Sequence, residues 1–241
     1  MGQIRLDKWI SSGAVLTRSE TKKAIKAGRV TVDGQVCKKP EQKLDQAKAR
    51  VLLDGKAVIY ETYIYLMMNK PAGVVSASKD RREKTVLSLL DHPPKGIFPV
   101  GRLDKDTEGL LLLTNDGPLA HELLTPGRHV DKTYYARLDG PVGEKEKEAF
   151  KKGLDIGDEK PTLPARLEIG ERAEEVWITI QEGRFHQVKR MARAVGRTVI
   201  YLRRISMGPL ILDEGLKPGQ YRRLTQQELA MLGRDGSRGL S

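Results

Sequence analysis

Three carboxylates lie two residues apart in the segment GRLDKDTEGLLLLTNDG, which covers residues 101–117. They are Asp104, Asp106 and Glu108, and a run of four leucines follows them. Carboxylates at this spacing suit two kinds of chemistry, because they can coordinate a cation or one of them can act directly on a substrate. A third interpretation is an acidic, solvated turn that only joins two strands.

The calcium interpretation depends on one position. The three carboxylates match the first, third and fifth positions of an EF-hand loop, and Gly109 matches the sixth. The twelfth position should be a bidentate Glu, but it is Asn115. The intervening leucines are also typical of a buried strand. The segment therefore predicts no metal site, and a catalytic carboxylate and a structural turn remain as alternatives.

Arg102 bears on the choice between those alternatives. It lies two residues before Asp104, where its charge can keep a carboxylate ionised at the edge of apolar structure. This arrangement indicates a candidate functional site, although a purely structural ion pair would have the same sequence.

The charge of the chain indicates a polyanionic partner. Lys and Arg number 43 against 32 Asp and Glu, which gives a net charge of +11. The excess is concentrated, since residues 1–60 hold 13 basic and 6 acidic side chains and residues 181–210 hold 7 basic and 1 acidic. The excess suggests nucleic acid or an acidic membrane surface as the partner, and its concentration in two patches favours a binding surface over a generally basic protein.

Other features of composition set the compartment. No run of about 18 apolar residues occurs, and the stretch MGQIRLDKWISSG lacks the apolar core of a signal peptide. Cys37 is the single cysteine, and with four scattered histidines it forms no zinc-binding pattern. These features predict a cytoplasmic protein with no membrane partner.

The elements that begin the chain are short. IRLDKWISSG predicts an amphipathic helix with Ile4, Trp9 and Ile10 near one face, ended by Gly13. The next helix should begin at a capping box formed by Thr17 and Glu20, and end at Gly28.

A hairpin should follow the second helix. RVTVDGQVC alternates around the pair Asp33–Gly34, which is a strong hairpin signal. Further on, LLDGKAVIYET is interpreted as a linker to a second domain.

The second helix carries a polar stripe. Four side chains recur at helical spacing and share one face: Ser19, Lys22, Lys23 and Lys26. Further basic residues flank the same small unit: Arg5, Lys8, Arg18 and Arg29. The stripe alone could be a solvated face, but with its flanking arginines it predicts a phosphate-binding surface.

The rest of the chain mixes strands with short helices. Strand-like segments are YIYLMMNK, GLLLLT, KTYYARL and EEVWITI, and helix-like segments are TVLSLLD, PLAHELL, EKEKEAFKKG and FHQVKRMARAVG. Because these elements alternate without a regular βαβ repeat, the predicted fold class is α+β. The predicted domains are residues 1–59 and 60–232, and the tail at 233–241 is expected to be disordered.

Two resemblances sharpen this interpretation. Residues 3–50 resemble an S4 RNA-binding domain through R-L-D-K, T-R-S-E and G-R-V-T-V-D-G. Residues 101–117 are similar to the catalytic signature of pseudouridine synthases, of the form G-R-L-D-x-x-T-x-G-L-L-L-L-T-x-D-G. Further stretches resemble the RsuA-type branch, in family order: NKPAGVVS, KTYYARL, EGRFHQVKRM and LKPGQYRRLTQQEL. The resemblance implies a catalytic domain with a mixed, mainly antiparallel sheet and flanking helices.

The resemblance implies roles for individual residues. Asp104 is the expected catalytic carboxylate, beside the sugar, and either attacks C1′ or removes a proton from C2′. Lys189 should hold it ionised, and Tyr134 should stack on uracil. Arg102 should fill the gap left by a flipped uridine. Two more residues are expected to support RNA or the active-site loop: Lys70 and Arg184.

The same resemblance implies the function. It predicts an RNA pseudouridine synthase that needs no cofactor and acts as a monomer on ribosomal RNA, in a pre-ribosomal particle. TPGRHVDKTYYARL looks more like the enzymes that modify small-subunit RNA. The alternatives are an enzyme for large-subunit RNA and a non-catalytic S4-type RNA-binding protein.

Overall fold

A computed structural model describes residues 3–12, 16–46, 48–58, 60 and 62–234 of the chain. Contacts between residues divide the chain into two compact units. The first comprises residues 1–64, 90–97 and 225–241, and the second comprises residues 65–89 and 98–224. The expected domain boundaries at residues 59 and 232 stay a prediction. Residues 235–241 of the expected disordered tail lie outside the described residues.

The first unit contains short strands around two helices. Its elements are β1 (Gln3–Arg5), α1 (Leu6–Ser12), α2 (Arg18–Lys26), β2 (Val30–Val32), β3 (Gln35–Val36), β4 (Lys43–Asp45), β5 (Val51–Leu53), β6 (Lys56–Ala57) and, near the end of the chain, α6 (Gln226–Met231). β1 pairs with β4, and a four-stranded antiparallel sheet has the order β3-β2-β5-β6.

The core of this unit is apolar and local in sequence. Leu6, Ile10 and Ile25 are fully buried, and the indole of Trp9 donates a hydrogen bond of 2.7 Å to the carbonyl of Val58. Burial of such side chains supplies most of the stabilisation of a small unit.

Two sequence predictions for this unit are wrong. The first helix begins at Leu6 rather than near Ile4, because residues 3–5 pair as a strand with β4. The predicted linker contains the hairpin β5–β6, whose turn residues Asp54 and Gly55 both adopt positive φ. The expected helix end at Gly13 lies outside the described residues.

Other predictions for this unit are confirmed. Thr17 and Glu20 form the reciprocal capping box of α2, and Gly28 follows its end with a φ of 77°. Asp33 and Gly34 form the turn between β2 and β3, both with positive φ.

The second unit is built on one mixed sheet of nine strands. Its strands are β7 (Tyr65–Lys70), β8 (Phe98–Pro99), β9 (Glu108–Thr114), β10 (Lys132–Leu138), β11 (Arg166–Ile169), β12 (Glu175–Ile180), β13 (Val199–Met207), β14 (Leu210–Ile211) and β15 (Tyr221–Arg223). Seven strands run in the order β11-β12-β10-β13-β9-β7-β15, with β14 paired to β13 and β8 paired to β9.

Three α-helices complete this unit: α3 (Gly117–Leu124), α4 (Glu144–Lys152) and α5 (Gln187–Ala194), with 3₁₀ turns at Val86–Leu89 and Pro126–Arg128. All strand pairs are antiparallel except β9 with β13, which are parallel. The leucines at 110–113 are all fully buried in β9. The predicted α+β class is confirmed. None of the helices in the described residues has the length and apolar character needed to cross a membrane.

Candidate active site

The central carboxylate lies on a short turn between β8 and β9. The side chain of Asp104 is 25% exposed, so it is half enclosed but open to a ligand. Lys189, in the first turn of α5, places its Nζ 3.0 Å from Oδ2 of Asp104. The same ammonium lies 2.6 Å from Oδ1 of Asp106. One lysine therefore joins the basic helix to two of the three carboxylates in the signature.

His186 approaches the other oxygen of the same carboxylate. Its Nε2 lies 3.4 Å from Oδ1 of Asp104, and the residue itself is the N-cap of α5 in the left-handed conformation, with φ of 49°. The geometry therefore places His186 against the candidate catalyst. The available signal was its position three residues before Lys189, which puts both side chains near the start of one helix.

The electrostatics of the cluster favour ionised groups. Burial lowers the pKa of Lys189, but hydrogen bonds to Asp106 and Asp104 outweigh burial, so the net pKa is raised. Burial acts to raise the pKa of Asp106, yet the hydrogen bond from Lys189 and its charge lower the pKa overall. The lysine thus stays charged beside Asp104 over a wide range of pH. Asp106 is the second partner of this cation.

Lys70 stabilises the backbone of the turn that carries Asp104. It is fully buried at the end of β7, and its Nζ donates to backbone carbonyls rather than to a carboxylate. The acceptors are Thr107 at 2.7 Å, Asp104 and Pro71 at 3.0 Å, and Lys105 at 3.4 Å. Four carbonyls on one ammonium fix the backbone path through the signature. Of the two roles expected for Lys70, this geometry favours support of the loop.

Other residues of the segment NKPAGVVS fix the same turn. The hydroxyl of Ser76 donates to the carbonyl of Leu103 and accepts from its amide, both at 3.0 Å. The amide of Gly73 donates to the carbonyl of Lys105 at 2.7 Å. The two motifs, about 30 residues apart in sequence, form one rigid structure because β7 and β9 pair with Lys70 opposite Gly109.

Gly109 is required by a close approach of two strands. It has a φ of 101° and lies opposite Arg204 where β9 and β13 run parallel. A Cβ at this position would lie 2.7 Å from the backbone nitrogen of Arg204 and would also clash with its carbonyl oxygen. Only glycine allows the signature strand to enter the sheet here.

Tyr134 and Arg102 lie in different surroundings. Tyr134 is buried on β10, in register with Ile178 and Arg204, whereas Tyr135 lies on the opposite face of the strand as expected. Arg102 is exposed. Within the residues that the structure describes, no hydrogen bond or ion pair joins either Tyr134 or Arg102 to Asp104. Their predicted roles stay predictions.

Glu108 points to a separate cluster. Its Oε2 accepts a hydrogen bond of 2.7 Å from the hydroxyl of Tyr201. Burial, reinforced by that hydrogen bond, raises the pKa of Tyr201 to about 12. Tyr135 packs edge-on against both Tyr201 and Trp177, at centroid distances of 6.1 and 5.4 Å. Glu108 therefore helps to order an aromatic cluster on the sheet rather than the carboxylate turn.

Arg184 anchors the loop that leads into α5. Its guanidinium donates to Glu182 at 2.9 Å and to the carbonyls of Lys160 and Pro161 at 2.6 and 2.7 Å. It also forms an ion pair of 3.4 Å with Asp158. With these partners, the side chain supports the loop, which is one of the two roles expected for it.

The predicted RNA-binding residues of the first unit share exposure to solvent. On α2, Thr21, Ala24 and Ile25 are buried, as predicted for the core face. The exposed residues are Arg5, Lys8, Arg18, Ser19, Lys22, Lys23, Lys26 and Arg29. Two of them form exposed ion pairs, Arg5 with Asp7 and Arg29 with Asp54.

The described residues contain no group of three or more His, Cys, Asp or Glu side chains that could hold a metal ion. Instead, the carboxylate of Asp104, which is 25% exposed, faces the ammonium of Lys189 and the imidazole of His186. The buried Lys70 fixes the backbone of the turn.

Comparison with known families shows which domain families the two parts of the chain match. The S4 domain matches residues 4–51, and the RNA pseudouridylate synthase family matches residues 64–194. The chain belongs to the RNA pseudouridylate synthase family. The second match includes the Asp104 turn, Lys70 and Lys189, and the first includes the exposed face of α2.

Relatives agree over nearly the whole chain. An uncharacterized RNA pseudouridine synthase of Bacillus subtilis is 45% identical over 95% of this chain and 98% of its own length. The ribosomal small subunit pseudouridine synthase A of Escherichia coli is 41% identical over 94% of this chain and 99% of its own. A crystal structure of a pseudouridylate synthase matches with a TM-score of 0.68 and 39% identity, covering 95% of this chain and 99% of that one.

Proposed function

We propose that this pseudouridine synthase isomerises a uridine of small-subunit ribosomal RNA, with Asp104 as the carboxylate that acts at the sugar. The observation that carries the proposal is the ion pair of 3.0 Å between Asp104 and Lys189, on a turn fixed by Lys70. The relatives named for the small ribosomal subunit, such as that of E. coli at 41% identity, support this choice of RNA over the large subunit.

The chemistry needs an ionised carboxylate in either of its forms. The N1–C1′ bond of uridine breaks, the base turns, a C5–C1′ bond forms, C5 loses its proton and N1 gains one. Asp104 acts either as a nucleophile at C1′ or as a base at C2′, and both roles require a free oxygen lone pair. Because the product contains the same atoms as the substrate, the reaction itself consumes no group carrier and no electron carrier.

The remaining roles are those that the family resemblance implies. Tyr134 stacks on the uracil, and Arg102, which is exposed, fills the space left by the flipped nucleotide. The exposed basic residues of α1 and α2 bind RNA phosphates. The protein works as a monomer in the cytoplasm, on RNA within a pre-ribosomal particle.

The test is a map of pseudouridines in ribosomal RNA from cells that lack this protein. One position in small-subunit RNA should lose its pseudouridine, and a plasmid copy of the wild-type protein should restore it. A copy with Asp104→Asn should not restore the modification. An unchanged map in the deletion strain, or a loss confined to large-subunit RNA, would contradict the proposal.

A further inference from the structure

An exposed pair of aromatic rings lies beside the candidate catalytic carboxylate. Phe185 is 76% exposed, more than any other large hydrophobic residue that the structure describes. Its ring stacks on the imidazole of His186, with centroids 3.8 Å apart and planes 20° from parallel. The imidazole in turn reaches Asp104, at 3.4 Å. The order of groups is therefore phenyl ring, imidazole, carboxylate.

Packing within the chain does not explain the position of Phe185. Full burial of a phenylalanine side chain stabilises a fold, and this ring forgoes most of that gain. Isolated exposed apolar residues are ordinary on protein surfaces. What distinguishes Phe185 is its flat stack on a second ring and the contact of that ring with Asp104.

The backbone on both sides of the pair is fixed. The amide of Arg184 donates to the side chain of Gln187 at 2.9 Å, and Arg190 donates to the carbonyl of Phe185 at 3.1 Å. His186 has a φ of 49°, a conformation that costs free energy in most residues and persists only when its surroundings impose it. The loop therefore holds the backbone of Phe185 and His186 in one conformation.

A nucleic acid base suits the open side of this pair. Aromatic side chains bind unpaired RNA bases by stacking, because every base has a flat π face. A base on the outer face of Phe185 would be separated from Asp104 by the thickness of two rings. That is too far for the reacting uracil, but it suits a neighbouring nucleotide of the same strand.

We propose that Phe185 and His186 form a stacking platform for an unpaired base adjacent to the target uridine. This inference rests on the proposed function, since it takes the reacting uridine to lie at Asp104. The platform holds the neighbouring base while the uridine is out of its stack. It therefore contributes to RNA binding and to placement of the substrate, and it does not touch the reacting atoms.

The test compares Phe185→Leu, which keeps an apolar side chain, with Phe185→Tyr, which keeps a stacking ring. The substrate is small-subunit ribosomal RNA transcribed in vitro. Loss of stacking should raise KM roughly 5-fold to 100-fold in the leucine variant. The tyrosine variant should stay within about 2-fold of the wild type, and kcat at saturating RNA should change less than KM. Ile211→Ala, an exposed apolar position on β14, is the matched control.

A fluorescent base gives a second readout. With 2-aminopurine next to the modified uridine in a short RNA, wild-type protein and the tyrosine variant should quench its emission on binding, and the leucine variant should not. The platform would be overturned if Phe185→Leu kept the KM and the quenching of the wild type. Equal losses of affinity and quenching in the leucine and tyrosine variants would also overturn it. Asp104→Asn is assayed in parallel: full activity there overturns the proposed catalytic role instead, and leaves the stacking result to be judged by fluorescence.

Discussion

Two basic regions of this chain use their cations in opposite ways. On α2, Lys22, Lys23 and Lys26 are exposed, and none of them forms a hydrogen bond or ion pair within the described residues. Around the Asp104 turn, Lys70 and Lys189 are enclosed, and each is held by several oxygens. A phosphate surface depends mainly on the number of charges, whereas a catalytic carboxylate depends on where each charge lies. Substitutions should therefore have graded effects in the first region and abrupt effects in the second.

The largest difference in effect is expected between two carboxylates of the signature, Asp104 and Asp106. Asp104→Asn should lower the rate of pseudouridine formation by at least about 10³-fold, because a neutral amide is neither the nucleophile nor the base. Affinity for RNA should change little. Asp106→Asn is the control, since it removes a carboxylate that also binds Lys189, and it should cost far less in rate. Single-turnover rates and filter binding give both quantities, and equal rates for the two variants would contradict the assignment.

Glycine substitutions extend the comparison to folding. Gly109→Ala places a Cβ against the backbone of β13, and should lower the free energy of unfolding by about 3 kcal/mol or more. Gly34→Ala in the first unit should cost only about 1 to 2 kcal/mol, because its φ of 83° is strained for alanine but no atom lies within 4 Å of the new Cβ.

Scanning calorimetry measures both glycine effects, and activity should be lost mainly in the Gly109 variant. A melting temperature close to that of the wild type for Gly109→Ala would show that the two strands separate more easily than the sheet register indicates.

The buried lysine predicts a dependence on pH. Burial lowers the pKa of Lys70 to about 8, even though the carboxylates of Asp106 and Asp104 act to raise it. In the unfolded chain the pKa is near 10.5, so between these values the unfolded chain binds more protons. Stability from this group therefore rises with pH from about 8 to 10.5, by at most on the order of 1 kcal/mol per pH unit. Activity should fall over the same range, because a neutral amine holds the carbonyls of the turn less strongly.

Lys70→Met removes this titration. Urea unfolding at pH 7, 8, 9 and 10 should show the wild type gaining stability relative to the variant only above pH 8. Parallel curves for the two proteins would mean that Lys70 keeps its proton throughout.

The smallest effects are expected on α2. Replacing Lys22, Lys23 and Lys26 together by glutamine should weaken RNA binding and lower the slope of log K against log salt by about 2 to 3, since each phosphate contact contributes about 0.7 to 0.9. The value of kcat at saturating RNA should not change. The matched control removes three exposed lysines from α4: Lys145, Lys151 and Lys152. Equal slopes for the two triple variants would remove α2 from the RNA-binding surface.

Local features of the sequence predict local structure well. The capping box at Thr17, the turn at Asp33–Gly34 and the buried leucine strand are confirmed, because each depends on neighbouring residues. The strand β13 has no mention in the sequence prediction, since VIYLRRISM mixes apolar and basic residues without regular alternation. Its place beside β9 depends on contacts almost 100 residues apart.

The candidate site likewise contains residues that the sequence predicts and contacts that it does not predict. The signature singles out Asp104, and family resemblance supplies Lys189, and both lie together in the structure. The contact of His186 with Asp104 and the role of Asp106 are not predicted, because both depend on how α5 lies against the turn. Nor does the sequence distinguish a buried lysine such as Lys70 from the many that are exposed.

The parallel contact between β9 and β13 has a consequence for synthesis on the ribosome. The strand that carries Gly109 finds its neighbour Arg204 only after 95 further residues have emerged, so the sheet around the turn closes late. The core formed by residues 4–58 depends on short separations and can assemble much earlier. A nascent chain should therefore acquire its affinity for RNA well before it acquires catalytic competence.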